Sequence, residues 1–188
     1  MKRSLKNSWL DWVSYLPTEQ RTMLNTGVTI ASVFLCLLLL PTRFPGMELL
    51  HIAPDWLLIW VVTWSIQRTP TQACFMGVIL GLLQDGMTAH WPTHALSLAL
   101  VGLLSSYLQK QRLILDDFVS VALVVFGMAI VAETVLALQF GIIGDRPLND
   151  IWIDHQRIAL ASAILSSLWA PAIYLPLSHW WKLINPNN

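Results

Sequence analysis

Four ionisable residues stand inside or at the edge of otherwise apolar stretches of the chain: Asp55, Asp85, Glu133 and Arg157. A charge in such surroundings is costly, so each implies a function or a compensating partner. His51, His90 and His94 lie near the same level. Three chemistries use this set. Carboxylates and imidazoles together can hold a metal or relay a proton, but neither HExxH nor a paired Glu-x-x-His occurs. A structural polar cluster would have Arg157 neutralise one acid. A protein-binding cleft would present the same acids to a partner, and this reading is compatible with the second.

Nucleophilic and phosphoryl chemistry find no support. There is no GxSxG elbow, no serine tied by spacing to a His or Lys, and no P-loop. An intramembrane aspartyl protease would need YD and GxGD patterns. Gly81-Leu82-Leu83-Gln84-Asp85 is only a distant echo of the second. Cys36 and Cys74 both sit in apolar runs far from CxxC spacing, which points to apolar-phase side chains and not to a disulfide or zinc site. No enzyme, metal or cofactor is expected.

The elements that must position these residues are membrane helices. Hydrophobic residues make up 55% of the chain and charged residues 12%, with mean hydropathy +0.59. A soluble domain carries about 25% charged residues, so too little polar side chain remains to cover a water-facing surface. Net charge is zero and pI is near 7.0, with no basic excess to suggest nucleic acid. The apolar blocks predict an all-α membrane protein of six spans, about 23–40, 49–66, 70–85, 94–108, 118–140 and 158–180. Several are shorter than the roughly 20 residues of an upright span. The first run lacks a small-x-small cleavage pattern and is expected to remain as an anchor. Pro171 and Pro176 punctuate the last span and can kink it.

Basic residues orient the bundle. With six spans, Lys2, Arg3, Lys6, Arg21, Arg68, Lys110, Arg112 and Lys182 fall on one side, and Arg43, Arg146 and Arg157 on the other. The richer side is cytoplasmic, which places both termini there in the plasma membrane. Trp9, Leu10, Trp12, Val13 and Leu16 recur at helical spacing ahead of Pro17, predicting an amphipathic helix on the inner leaflet or against a cytoplasmic partner. The organisation expected is an interfacial segment over 1–22, a six-helix domain over 23–181 and a tail over 182–188.

Two stripes concern packing. Ala73, Gly77 and Gly81 recur every four residues, a spacing that lets another backbone approach, either within the bundle or from a second protein. Trp56, Trp60 and Trp64 form a row on the second span. Such a row reads as a lipid-facing or bundle-packing ridge, or as a surface for a partner's helix.

Pro54-Asp55 opening an aromatic span, Gly77-x-x-x-Gly81-Leu82-x-x-Asp85, and Ala95-Leu96 opening the next helix together resemble the MreD family of rod shape-determining proteins. Gln84-Asp85-Gly86 and Pro92-Thr93-His94 look like its cyanobacterial branch. The likeness covers most of residues 24–180, with its diagnostic part at 54–107. Members often carry glycines four and eight positions after the aspartate, where this chain has Ala89 and Thr93. The resemblance implies a non-enzymatic scaffold of the cell-elongation complex that binds the single-span protein MreC. It also implies contacts with MreB, a RodA-type glycosyltransferase, a penicillin-binding transpeptidase and membrane lipids, and a role in cell shape and peptidoglycan synthesis. The family is similar in fold to the S-components of energy-coupling-factor transporters. The alternative is therefore a substrate-binding subunit of such a transporter.

Overall fold

The structure, a computed structural model, describes residues 17–42, 52–88, 92–110, 117–143 and 148–184. His51, His90 and the amphipathic stretch from Trp9 to Leu16 lie outside the described residues. Among those described the chain is all-helical, with six helices: α1 (Thr18–Leu39), α2 (Trp56–Ser65), α3 (Pro70–Met87), α4 (His94–Lys110), α5 (Phe118–Ile143) and α6 (Leu148–Ile184).

Three of these are long and apolar enough to cross a membrane, over Thr18–Leu39, Phe118–Ile142 and His155–Ile184. Helix α1 begins at Thr18, so Thr18–Thr22 belong to it and not to a separate N-terminal segment. Helix α6 runs 37 residues and stays helical through Pro171 and Pro176. Membrane helices tolerate interior proline where neighbours satisfy the freed carbonyls.

Helix α2 differs from the others. It has only 10 residues, every one of them buried. At 1.5 Å per residue it rises about 15 Å, half the hydrocarbon thickness. Its lead-in is extended, with Asp55 at φ −82° and ψ 91°. Non-helical backbone at membrane depth survives only inside protein, and here the Asp55 N–H donates to Ser166 Oγ on α6 at 3.0 Å. Helix α2 packs against each of the other five helices, while α3–α4 and α5–α6 form the two most extensive pairs around it. Lipid tails are as apolar as leucine, so burying α2 stabilises the bundle through close packing and not through removal from water.

The tryptophan row is part of that packing. Trp56, Trp60 and Trp64 are all buried, so the row packs inside the bundle, and Trp64 also borders a surface groove. Trp56 meets Trp169 of α6 edge-on at 5.6 Å, and Trp60 stacks on Trp64 at 5.8 Å. The Trp60 indole donates to Ser32 Oγ on α1 at 2.8 Å. A buried indole N–H needs such a partner.

Candidate functional site

The α3–α4 hairpin is built on small residues. A methyl group placed on Gly77 would run into the Leu98 carbonyl, and one on Gly81 into the Ala95 backbone. Gly102 of α4 answers from the other side: a methyl there would meet the Ala73 carbonyl oxygen at 2.5 Å. The Ala73, Gly77 and Gly81 stripe thus meets α4 of the same chain, and close backbone approach is what the glycines supply.

That approach brings the last turn of α3 to the first turn of α4. Thr93 precedes α4, and its hydroxyl accepts the Ala95 N–H at 3.2 Å. The same hydroxyl donates to Asp85 Oδ2 at 2.6 Å. Asp85 Oδ1 accepts the His94 backbone N–H at 2.8 Å and lies 2.7 Å from His94 Nδ1. Asp85 therefore caps a helix other than its own. The first N–H groups of a helix lack intrahelical partners, and a carboxylate there also favours the positive end of the helix dipole. From α5, Gln139 grips the Thr93 backbone twice: its Oε1 accepts the Thr93 N–H at 3.0 Å, and its Nε2 donates to the Thr93 carbonyl at 3.1 Å.

Asp55 does the same work locally. Its Oδ1 accepts the Leu58 N–H at 3.0 Å and so caps α2. Asp55 sits within electrostatic reach of both His94 and Glu133, which gathers α2, α4 and α5 at this end of the bundle. Glu133 is half-buried on α5.

Arg157 lies elsewhere. It is exposed on α6, and among the described residues no ion pair joins it to Asp85 or Glu133. The expected counter-charge position at Asp85 is occupied by His94 instead. A long guanidinium stem can keep its head in water while the helix body stays in apolar surroundings, so Arg157 needs no acid beside it. Asp55, Asp85, His94 and Glu133 are brought together; Arg157 is not.

Three participants escape a reading confined to ionisable residues: Thr93, Gln139 and Ser166. Thr93 carried a signal, since Thr directly before a helical run is a preferred N-cap. Gln139 carried another, as a lone amide in an apolar span. Ser166 carried none that separates it from the other small hydroxyl residues of α6.

No curated protein and no solved structure is matched by the chain. A family model described as rod shape-determining protein MreD matches residues 21–180, and that stretch contains the small-residue hairpin, the capping aspartates and the buried tryptophan helix. The chain belongs to the MreD family of rod shape-determining membrane proteins.

Proposed function

We propose that this chain is a non-enzymatic scaffold of the cell-elongation complex, binding MreC in the plasma membrane and linking it to peptidoglycan synthesis. In this reading it crosses the membrane six times with both termini cytoplasmic. The short helix α2 completes one crossing with its extended lead-in. Contacts with MreB, a RodA-type glycosyltransferase and a penicillin-binding transpeptidase would follow from membership of the same complex.

One observation carries the preference for a scaffold over a vitamin-binding subunit. A ligand pocket needs convergent polar groups left free for the ligand. At the α3–α4 end those groups serve the fold: Asp85 accepts from Thr93 and His94, Gln139 holds Thr93 at two points, and Asp55 caps α2. The apolar side chains of α1, including Ile30, Phe34, Leu35 and Leu38, are meanwhile exposed. Such a ridge suits a partner's helix.

Affinity purification of the full chain in mild detergent tests the reading. Recovery of MreC supports the scaffold; recovery of an ATPase pair with a coupling subunit selects the transporter. Topology is tested by reporter fusions at residue 188 and within 142–156, expected to read inside and outside. The same side for both would sink the six-span arrangement.

A further inference from the structure

Helices α1 and α3 do not close on one another. Between them runs a groove of about 610 Å³, floored by Trp64 and Arg68, within the roughly 300–1,000 Å³ range of small-ligand sites. Helix α1 contributes Asn25, Thr26 and Thr29, and α3 contributes Thr71, Gln72, Phe75, Met76 and Ile79. Among the described residues no carboxylate lines it.

The groove has a direction. Arg68, Thr71 and Gln72 stand where α3 begins, whereas Phe75 and Ile79 lie deeper and are exposed. At 1.5 Å per residue, Ile79 is about 12 Å further along the helix than Thr71. The walls thus pass from a cationic, hydroxyl- and amide-bearing mouth to an apolar run at hydrocarbon depth.

An independent observation concerns hydrogen bonds. Trp64 is nine-tenths buried, and its Nε1 has no partner among the described residues. Arg68 Nε, also buried, has none either. The Arg68 guanidinium is held over the Trp64 ring at 5.1 Å, so the two side chains are positioned together. Buried donors are nearly always satisfied, and these two share one groove. Asn25 Oδ1, a buried acceptor in the same groove, is also without a partner among the described residues, so the charge of Arg68 selects the ligand, and phosphate oxygens are the natural match for a guanidinium.

We propose that this groove binds an anionic phospholipid, with the phosphate at the end of the Arg68 guanidinium, which the Trp64 ring positions, and an acyl chain along Phe75, Met76 and Ile79. Two features favour a lipid over a free phosphate: the apolar run continues from the mouth, and α1 and α3 carry further exposed apolar side chains, Ile30 and Phe34 on one and Phe75, Ile79 and Leu82 on the other. The leaflet concerned is the one at the N-terminal end of α1. That this leaflet is cytoplasmic rests on the orientation proposed above, but the lipid site itself does not.

Native mass spectrometry of the full chain, released from micelles with equal phosphatidylglycerol and phosphatidylcholine, tests the site. Wild type is expected to retain phosphatidylglycerol with about tenfold preference, because phosphatidylcholine brings the same phosphate together with a trimethylammonium that the Arg68 guanidinium repels. Arg68→Gln should abolish the preference, Arg68→Lys should keep part of it, and Trp64→Phe should weaken it while keeping the ring. Thermal unfolding of each variant separates lost binding from lost fold, and the Lys and Phe variants remain informative if Arg68→Gln does not fold. Equal retention of both lipids, or an unchanged preference in Arg68→Gln, overturns the proposal. So does displacement of the lipid by millimolar inorganic phosphate, or its exclusion by a co-purifying partner helix. No partner protein is needed, so this outcome and the MreC pull-down can fail separately.

Discussion

The two ends of helix α3 treat polar groups in opposite ways. At the Asp85 end, both carboxylate oxygens have partners, and a carboxamide from α5 grips the backbone of the turn. At the Pro70 end, Trp64 Nε1 and Arg68 Nε are buried with no acceptor among the described residues. The closed end is made at the turn between α3 and α4, and the open end by Trp64 of α2 and Arg68 of the link into α3. The first end fixes three helices against one another through bonds made within the chain, although Gln84 Oε1 beside Asp85 is buried without a partner among the described residues. The second is chemically unfinished, and its shape continues outward into an open groove. Rigidity is concentrated where donors and acceptors balance, and a binding opportunity arises where they do not.

The largest effect that would break this contrast lies at the hairpin interface on the closed side. Gly81→Leu must displace the Ala95 backbone, because even the first carbon of a side chain overlaps it. Overpacking of this kind costs about 1–3 kcal/mol when side chains can yield, and more when backbone must move. Loss of folded protein from a mild-detergent size-exclusion profile is expected. Leu82→Ala is the control, since Leu82 is 58% exposed. Equal tolerance of both changes would remove the glycine stripe as a packing surface.

Asp85→Ala comes next. It strips the partner from the His94 N–H, His94 Nδ1 and the Thr93 hydroxyl together. Charge-assisted bonds contribute about 1.5–3 kcal/mol each, though not additively. A loss of about 3 kcal/mol, read as a lower midpoint of thermal unfolding in detergent, is expected. Asp85→Asn should lose less, because one amide oxygen can still accept. If Asp85→Ala unfolds like wild type, the α3–α4 end is not the rigid one.

How far the sequence foretold these two ends follows from the range of the interactions involved. Helices α3, α4 and α5 start at Pro70, His94 and Phe118, where the apolar blocks and local punctuation place them. The small-residue stripe was legible because its spacing is local. The ambiguity of the tryptophan row was not resolvable locally: α2 is buried on all sides because five other helices surround it. Asp85 stood out as a charge in an apolar run, but its cap on α4 depends on how the hairpin closes. The Trp64–Arg68 pair is four residues apart and could have been paired by spacing. That its donors lack acceptors depends on α1 and α3 standing apart, which no local pattern encodes.

Gln139→Leu should have a smaller effect than Asp85→Ala. It removes both bonds to the Thr93 backbone while keeping an apolar side chain of similar size. Side-chain hydrogen bonds within membrane proteins average only about 0.6 kcal/mol, with a maximum near 1.7. Two bonds to one backbone turn place the expected loss at about 1–2 kcal/mol, measured by the same unfolding midpoint. A loss as large as that of Asp85→Ala would mean that Gln139, and not the aspartate cap, anchors the closed end.

The smallest effect is expected at Arg157, and it is the one that most sharpens the contrast. A lone arginine at the head of the last span looks from its sequence like the counter-charge for Asp85 or Glu133. Were it so, neutralising it would leave a carboxylate uncompensated in apolar surroundings, at a cost of several kcal/mol. In the fold Arg157 is exposed, and His94 stands at Asp85 Oδ1 instead. Arg157→Gln then removes an exposed charge with no acid within ion-pairing distance among the described residues. Such a change stays within about 0.5 kcal/mol. Unfolding midpoints of Arg157→Gln, Asp85→Asn and the double variant decide between the two arrangements. With no coupling, the double variant shows the sum of the two single effects. If Arg157→Gln is strongly destabilising and Asp85→Asn restores part of the loss, the arginine does reach the polar end, and that end is not closed by its own residues.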